Sequence, residues 1–93
     1  MSSSPNKYIV KAFKKLIDLL KLEINLVYDQ ETKTVNEFRI DALEKNYKVI
    51  AQMTSKIKSS NDMKHIKGFG KGTLTRIDEI LETGTLKEID YLS

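Results

Sequence analysis

Three of the four glycines in this chain fall within five residues, Gly68-Phe69-Gly70-Lys71-Gly72, and the single proline is Pro5. The sixty-one positions from 7 to 67 therefore contain neither of the residues that most often interrupt a helix. Such a chain is expected to run as helix with short connections and to make one tight turn late in its length. Apolar residues at Ile9, Phe13, Leu16, Ile17, Leu20 and Ile24 follow the 3.6-residue period. They predict an amphipathic helix from Lys7 to about Leu26, with Lys11, Lys14, Lys15, Asp18 and Lys21 largely on its other side. Asp29-Gln30-Glu31-Thr32-Lys33-Thr34 is polar and aperiodic and reads as a loop.

Asn36 is placed to cap a second helix through about Met53, with Ile40, Leu43, Tyr47 and Ile50 on one stripe. Ser59-Ser60-Asn61-Asp62 resembles the opening of a short helix from Asn61 to about His65. A further helix starts at Lys71 or Gly72, with Leu74, Ile77, Ile80 and Leu81 toward the core and Gly84 as a left-handed stop. Thr85-Leu86-Lys87-Glu88 has the form of a capping box before a last turn carrying Ile89 and Leu92. The expected fold is all-α, a small bundle of four to five helices.

Composition narrows the chemistry. Ninety-three residues hold one domain with a small core, and no cysteine is present for a disulfide or a thiolate zinc site. A single histidine, His65, excludes a two-histidine metal site. No uninterrupted apolar run is long enough to span a bilayer, and Met1–Asn6 lacks the apolar core of a secretory signal. The expectation is an intracellular, soluble monomer with a disordered leader over residues 1–6 and one domain over residues 7–93. His65 itself reads as a surface residue, Tyr47 as core packing, and Phe69 as an anchor for the turn. Asp78, Glu79 and Glu82 read as a solvated acidic face rather than a Mg²⁺ site.

The net charge of +3 conceals an uneven distribution. Residues 1–44 carry seven basic and seven acidic side chains. Residues 45–76 carry eight basic ones (Lys45, Lys48, Lys56, Lys58, Lys64, Lys67, Lys71 and Arg76) against Asp62 alone, and residues 77–93 carry five acids and one lysine. A concentrated positive block fits a polyanionic partner, whose condensed counterions are released on binding. It also fits a solvated lysine-rich surface.

The most specific stretch is His65-Ile66-Lys67-Gly68-Phe69-Gly70-Lys71-Gly72-Thr73, an apolar-x-Gly-apolar-Gly-basic pattern between two helices. The first glycine permits a backbone geometry closed to other residues, and the second allows close approach of a ligand. The next helix then begins with unsatisfied N–H groups and the positive end of its dipole, which favour a phosphate oxygen. This is the form of a helix-hairpin-helix element, which holds a nucleic-acid backbone without reading sequence. Gly68, Gly70, Lys71, Gly72 and Thr73 are its expected contacts, with Lys67 beside them.

Further segments extend a family resemblance over about Lys7 to Tyr91. Asn36-Glu37-Phe38-Arg39-Ile40-Asp41-Ala42-Leu43 is similar to the Asn-Pro-Phe-Arg-Val-x-Ala-Tyr pattern of family X DNA polymerases. Ile57-Lys58-Ser59 and Ile66-Lys67-Gly68-Phe69-Gly70 resemble that family's Ile-x-Ser and Leu-Pro-Gly-Val-Gly segments. Arg76-Ile77-Asp78-Glu79-Ile80-Leu81-Glu82-Thr83-Gly84-Thr85-Leu86 resembles its Lys-Ile-x-Glu-Ile/Phe-Leu-x-Thr-Gly-x-Leu run. The chain thus resembles the amino-terminal 8-kDa domain of these polymerases, DNA polymerase beta among them.

The resemblance implies a module that binds gapped or single-stranded DNA near a 5′-phosphate, at a nuclear or other site of DNA replication and repair. A polymerase domain would lie C-terminal to it. In repair members a lysine of this domain attacks the sugar's C1′ as a Schiff-base nucleophile, and β-elimination releases the 5′-deoxyribose phosphate. That lysine aligns with Arg76, which cannot be deprotonated for the role but can hold a phosphate. The aromatic of the Ala-Tyr pair is Leu43, and two further basic positions are Gly72 and Glu88, while Arg39 matches a basic one. Lys71 or Lys67 remains a chemical substitute as nucleophile, with Lys71 and Lys87 as neighbouring cations. No cofactor is required, although the family's hairpin holds Na⁺ or K⁺ through carbonyls that align with Lys64, Ile66 and Phe69. A protein-interaction domain that kept the fold without DNA contact is the third reading.

Overall fold

Each strongly periodic run forms a helix. A computed structural model describes residues 5–26 and 29–92. Among them the chain forms four α-helices and a short 3-10 helix: α1 (Lys7–Ile24), α2 (Gln30–Gln52), the 3-10 helix Ser60–Met63, α3 (Lys71–Thr83) and α4 (Lys87–Leu92). No strand occurs among the described residues. The expected all-α bundle is what is found.

The long apolar stripe of α1 is the centre of the bundle. Its Ile9, Phe13, Leu16, Ile17 and Leu20 are all buried. Against them pack α2, α3 and α4, and the 3-10 helix packs on α3. Leu43 and Ile50 of α2, Ile77 and Ile80 of α3, and Ile57, Met63, Leu86 and Ile89 complete the core. Side chains of this size contribute about 1.5–3 kcal/mol each when fully buried. Tyr47 is half-buried against the cluster, as its stripe predicts, and Phe69 is buried in it, as expected of an anchor for the turn. Leu81, expected to face inward, is exposed.

The polar segment at residues 29–34 is not a loop. Asp29 caps α2, its carboxylate accepting the Thr32 N–H at 2.8 Å and the Thr32 hydroxyl at 2.6 Å. These bonds, the hydroxyl first, lower the Asp29 carboxyl below its usual range. Thus α2 begins well before Asn36, the expected cap, which instead lies buried within the helix. The first turns of α2 project past the core, so they carry no apolar stripe, and the cap sustains them. At the other boundary α1 ends at Ile24, two residues short of the expected Leu26.

Asn6 joins distant parts of the chain. The expected leader covered residues 1–6; residues 1–4 lie outside the described residues, and Asn6 is buried. Rather than capping α1, its side chain mimics a strand partner for the segment after α2. Its Nδ2 donates to the Ser55 carbonyl at 3.0 Å, and its Oδ1 accepts the Ile57 N–H at 2.7 Å.

Two acids of the α3 surface serve as caps in space. The Asp78 carboxylate accepts the Ser60 N–H at 2.9 Å and the Ser60 hydroxyl at 2.7 Å, holding the start of the 3-10 helix. This helix starts one residue before the expected Asn61 and ends at Met63, short of His65. Glu79 accepts the Lys87 N–H at 2.6 Å, at the start of α4. The expected Thr85–Glu88 capping box is absent, because Glu88 is turned to Arg76 and the Thr85 N–H meets the Thr83 hydroxyl. Gly84 does end α3, with φ +83° and its N–H on the Ile80 carbonyl at 2.7 Å.

The Asp78 bonds carry a pH signature. The Ser60 hydroxyl, and then its N–H, lower the Asp78 carboxyl below the usual range. A carboxyl whose folded pKa is depressed adds stability above its unfolded value of about 3.9 and loses it as pH falls through the lower folded value. Asp78→Ala is therefore expected to lower Tm near neutrality, by an amount that shrinks below about pH 4 as wild-type Asp78 protonates. Thermal melts of both proteins across this range check it; a difference that stays constant into strong acid contradicts it.

Candidate nucleic-acid interface

The glycine-rich turn is built by short local bonds on a buried anchor. Met63 is fully buried; the Ile66 N–H reaches its carbonyl at 3.1 Å, and the Phe69 N–H reaches the Ile66 carbonyl at 3.2 Å. Between them Gly68 adopts φ +94°, in the left-handed region that strains any residue with a Cβ. Space is not the constraint, since a Cβ there would lie 4.0 Å from Asn46 Oδ1. Phe69 then turns inward, and the chain emerges at Gly70 in an extended conformation.

Helix α3 starts at this point. The Leu74 N–H closes its first turn on the Gly70 carbonyl at 3.0 Å. The N–H groups of Lys71, Gly72 and Thr73 precede any carbonyl they could reach within the helix. With the helix dipole they form a positive surface at the hairpin tip. Gly70 has an ordinary φ of −79°, and a Cβ on it would meet nothing within 4 Å. The protein's own packing therefore does not demand glycine at position 70.

Lys67, Gly68, Gly70, Lys71 and Gly72 come together as an exposed group. Lys67 and Gly68 also line a groove of about 310 Å³ with Lys45, Asn46 and Val49 of α2. Lys45 is paired with Asp41 at 3.0 Å, whereas Lys67 and Lys71 have no ion pair among the described residues. His65 is exposed beside the turn, as expected.

Three expected contacts are placed differently. The Thr73 side chain points inward: the residue is 8% exposed, and its hydroxyl accepts from Asn46 Nδ2 at 2.8 Å. Only its backbone N–H remains at the helix start. Arg76, one turn further along α3, is held by Glu88 in a two-pronged pair, Nε to Oε1 at 2.8 Å and Nη2 to Oε2 at 3.1 Å. The Nε–Nη2 edge of the guanidinium is thus taken by a carboxylate, which neutralises its charge locally. Arg39 lies apart from the turn, in a groove of about 420 Å³ lined by Leu20, Glu23, Lys87, Glu88, Tyr91 and Leu92.

Sequence reasoning missed Asn46 and Asn6. Asn46 had a signal, because Leu43, Asn46 and Ile50 stand at the i, i+3, i+7 positions of the buried α2 face. A polar residue at such a position needs a buried partner. Of the acidic trio, Asp78 and Glu79 are committed to the caps described above. Among the described residues no group of three or more acidic or histidine side chains is placed to hold a metal ion. No described helix is long and apolar enough to cross a membrane.

Comparison with known proteins agrees with this geometry. No curated protein and no solved structure matches the chain. The family model of the helix-hairpin-helix domain matches residues 4–86, which includes the turn and all of α1, α2 and α3. Helix-hairpin-helix domains bind DNA. The chain belongs to the helix-hairpin-helix domain family.

Proposed function

We propose that this domain grips the sugar–phosphate backbone of gapped or single-stranded DNA beside a 5′-phosphate, as the amino-terminal module of a family X repair polymerase. The observation that carries this reading is the backbone at the start of α3. Gly68 takes the left-handed φ that bends the hairpin, and Gly70 leaves open space before three N–H groups that have no carbonyl to reach within the helix. A phosphate pressed against those N–H groups gives Gly70 the reason that the fold does not. Lys67 and Lys71 add mobile charge on either side. Contacts of this kind position the domain on DNA and carry no base information.

The finer assignments follow the family resemblance. Arg39 and Lys87, which have no ion pair among the described residues, are the cations for the 5′-phosphate in the groove beside α4. The carbonyls of Lys64, Ile66 and Phe69 are neutral oxygen donors of the kind that suits Na⁺ or K⁺. A cation held there would add positive charge behind the hairpin. The carboxylates for nucleotide transfer would belong to a separate polymerase domain.

The domain works without the lyase step. A Schiff base needs a neutral amine, and the family's nucleophile position holds Arg76, which stays protonated. Its pairing with Glu88 also takes one edge of the guanidinium.

Salt titration of binding to gapped DNA tests the grip. Log K against log salt should be steep, with about 0.7 to 0.9 of slope for each phosphate neutralised. Lys71→Ala should remove about one such contact at any sequence. Absent or salt-independent binding overturns the proposal. For the lyase step, borohydride treatment of the protein with abasic-site DNA should leave no covalent adduct. An adduct that disappears in Lys71→Ala would restore the enzyme reading with Lys71 as its nucleophile.

A further inference from the structure

A second groove adjoins the hairpin. Met53, Lys56, Lys58, Asp62, His65 and Ile66 line a depression of about 550 Å³ between the segment after α2 and the start of the turn. We propose that this groove is a second backbone-binding surface, through which Lys56 and Lys58 hold a further stretch of the DNA gripped by the hairpin. The inference rests on the DNA-binding reading above and extends it to residues outside the hairpin.

Three observations carry it. First, the scaffold of the groove is fixed. Ile57, between the two lysines, is buried at 1% exposure, and its N–H is held by Asn6 Oδ1 at 2.7 Å. The Ser55 carbonyl is held by Asn6 Nδ2, and the Lys58 N–H by Asp62 at 2.9 Å. The lysines therefore project from a braced segment rather than a loose loop, which reduces the ordering cost of binding.

Second, the cations there are uncommitted. Lys56 and Lys58 are exposed and have no ion pair among the described residues. This differs from Lys14, Lys21 and Lys45, each paired with a carboxylate within 3.4 Å. Asp62 is the one acid lining the groove, and one of its oxygens is engaged by the Lys58 backbone. Third, the groove is continuous with the hairpin. His65 and Ile66 line it, and the next two residues, Lys67 and Gly68, line the groove against α2. A strand leaving the tip on this side meets Lys56 and Lys58 next, and positive charge in both grooves suits a polyanion longer than one phosphate.

The test compares wild type, Lys56→Ala/Lys58→Ala, Lys56→Arg/Lys58→Arg and Lys71→Ala in salt titrations on a long single strand. A short oligonucleotide that fills only the hairpin is the control. The double alanine variant is expected to lose about 1.4 in log–log slope on the long strand, two contacts at about 0.7 each. It should match wild type on the short one, and the double arginine variant should keep the full slope. Both lysines are exposed, so circular dichroism should show an unchanged fold. If the double alanine variant keeps the wild-type slope while Lys71→Ala loses its share, the second groove is overturned and the hairpin reading stands. If no variant differs and wild type itself does not bind, the DNA-binding proposal fails and the groove with it.

Discussion

The buried hydrogen bond from Asn46 to Thr73 sets the hairpin's position on the bundle. It joins the middle of α2 to the first turn of α3 across 27 residues of sequence, at sites only 2% and 8% exposed. Both partners lie in a low-dielectric setting where leaving either group unpaired costs about 1–3 kcal/mol. Asn46 also sits beneath Gly68, where the chain takes its left-handed bend. Without this bond the turn would be tethered to α2 chiefly by the non-directional packing of Phe69. With it, the start of α3 has a defined orientation relative to Lys45 and Lys67. A site that works through backbone N–H groups depends on such an orientation, because main-chain donors cannot adjust as a lysine does.

The same economy of polar side chains recurs elsewhere. Asn6 braces the segment that carries Lys56 and Lys58, Asp78 holds the 3-10 helix that leads into the turn, and Glu79 holds α4. Each replaces hydrophobic area that a domain of this size cannot supply. The acidic character of the last helices is thus largely structural. Within the positive block Lys45 and Arg76 are paired with Asp41 and Glu88, while Asp62, Asp78 and Glu79 are engaged by backbone and hydroxyl groups and leave Lys56, Lys58, Lys67 and Lys71 without an ion pair among the described residues. The pairing of Arg76 with Glu88 is a neutral brace between α3 and α4.

Much of the fold was legible in the sequence where burial dictated the pattern. The stripe from Ile9 to Leu20, the Leu43–Ile50 face, and Gly84 as a stop all follow from the helical period and from glycine's conformational range. Gly68 was legible as the turn for the same reason, whereas Gly70, at an ordinary φ of −79°, was read from the Gly-x-Gly pattern rather than from its conformation. What was not legible depended on contacts between residues far apart. The start of α2 hid in a polar run because nothing there is buried. Thr73 and Arg76 read as ligand contacts because composition alone does not reveal that Asn46 and Glu88 face them. Glu88 looked like half of a local capping box until the fold brought Arg76, twelve residues earlier, within 2.8 Å.

Residue-resolved amide chemical shifts during titration with gapped DNA probe the proposed main-chain grip at the hairpin tip. The largest changes are expected on the amides of residues 68–73, with smaller ones at Lys67 and on the flanking grooves. Changes centred elsewhere, or no changes at all, would contradict that grip.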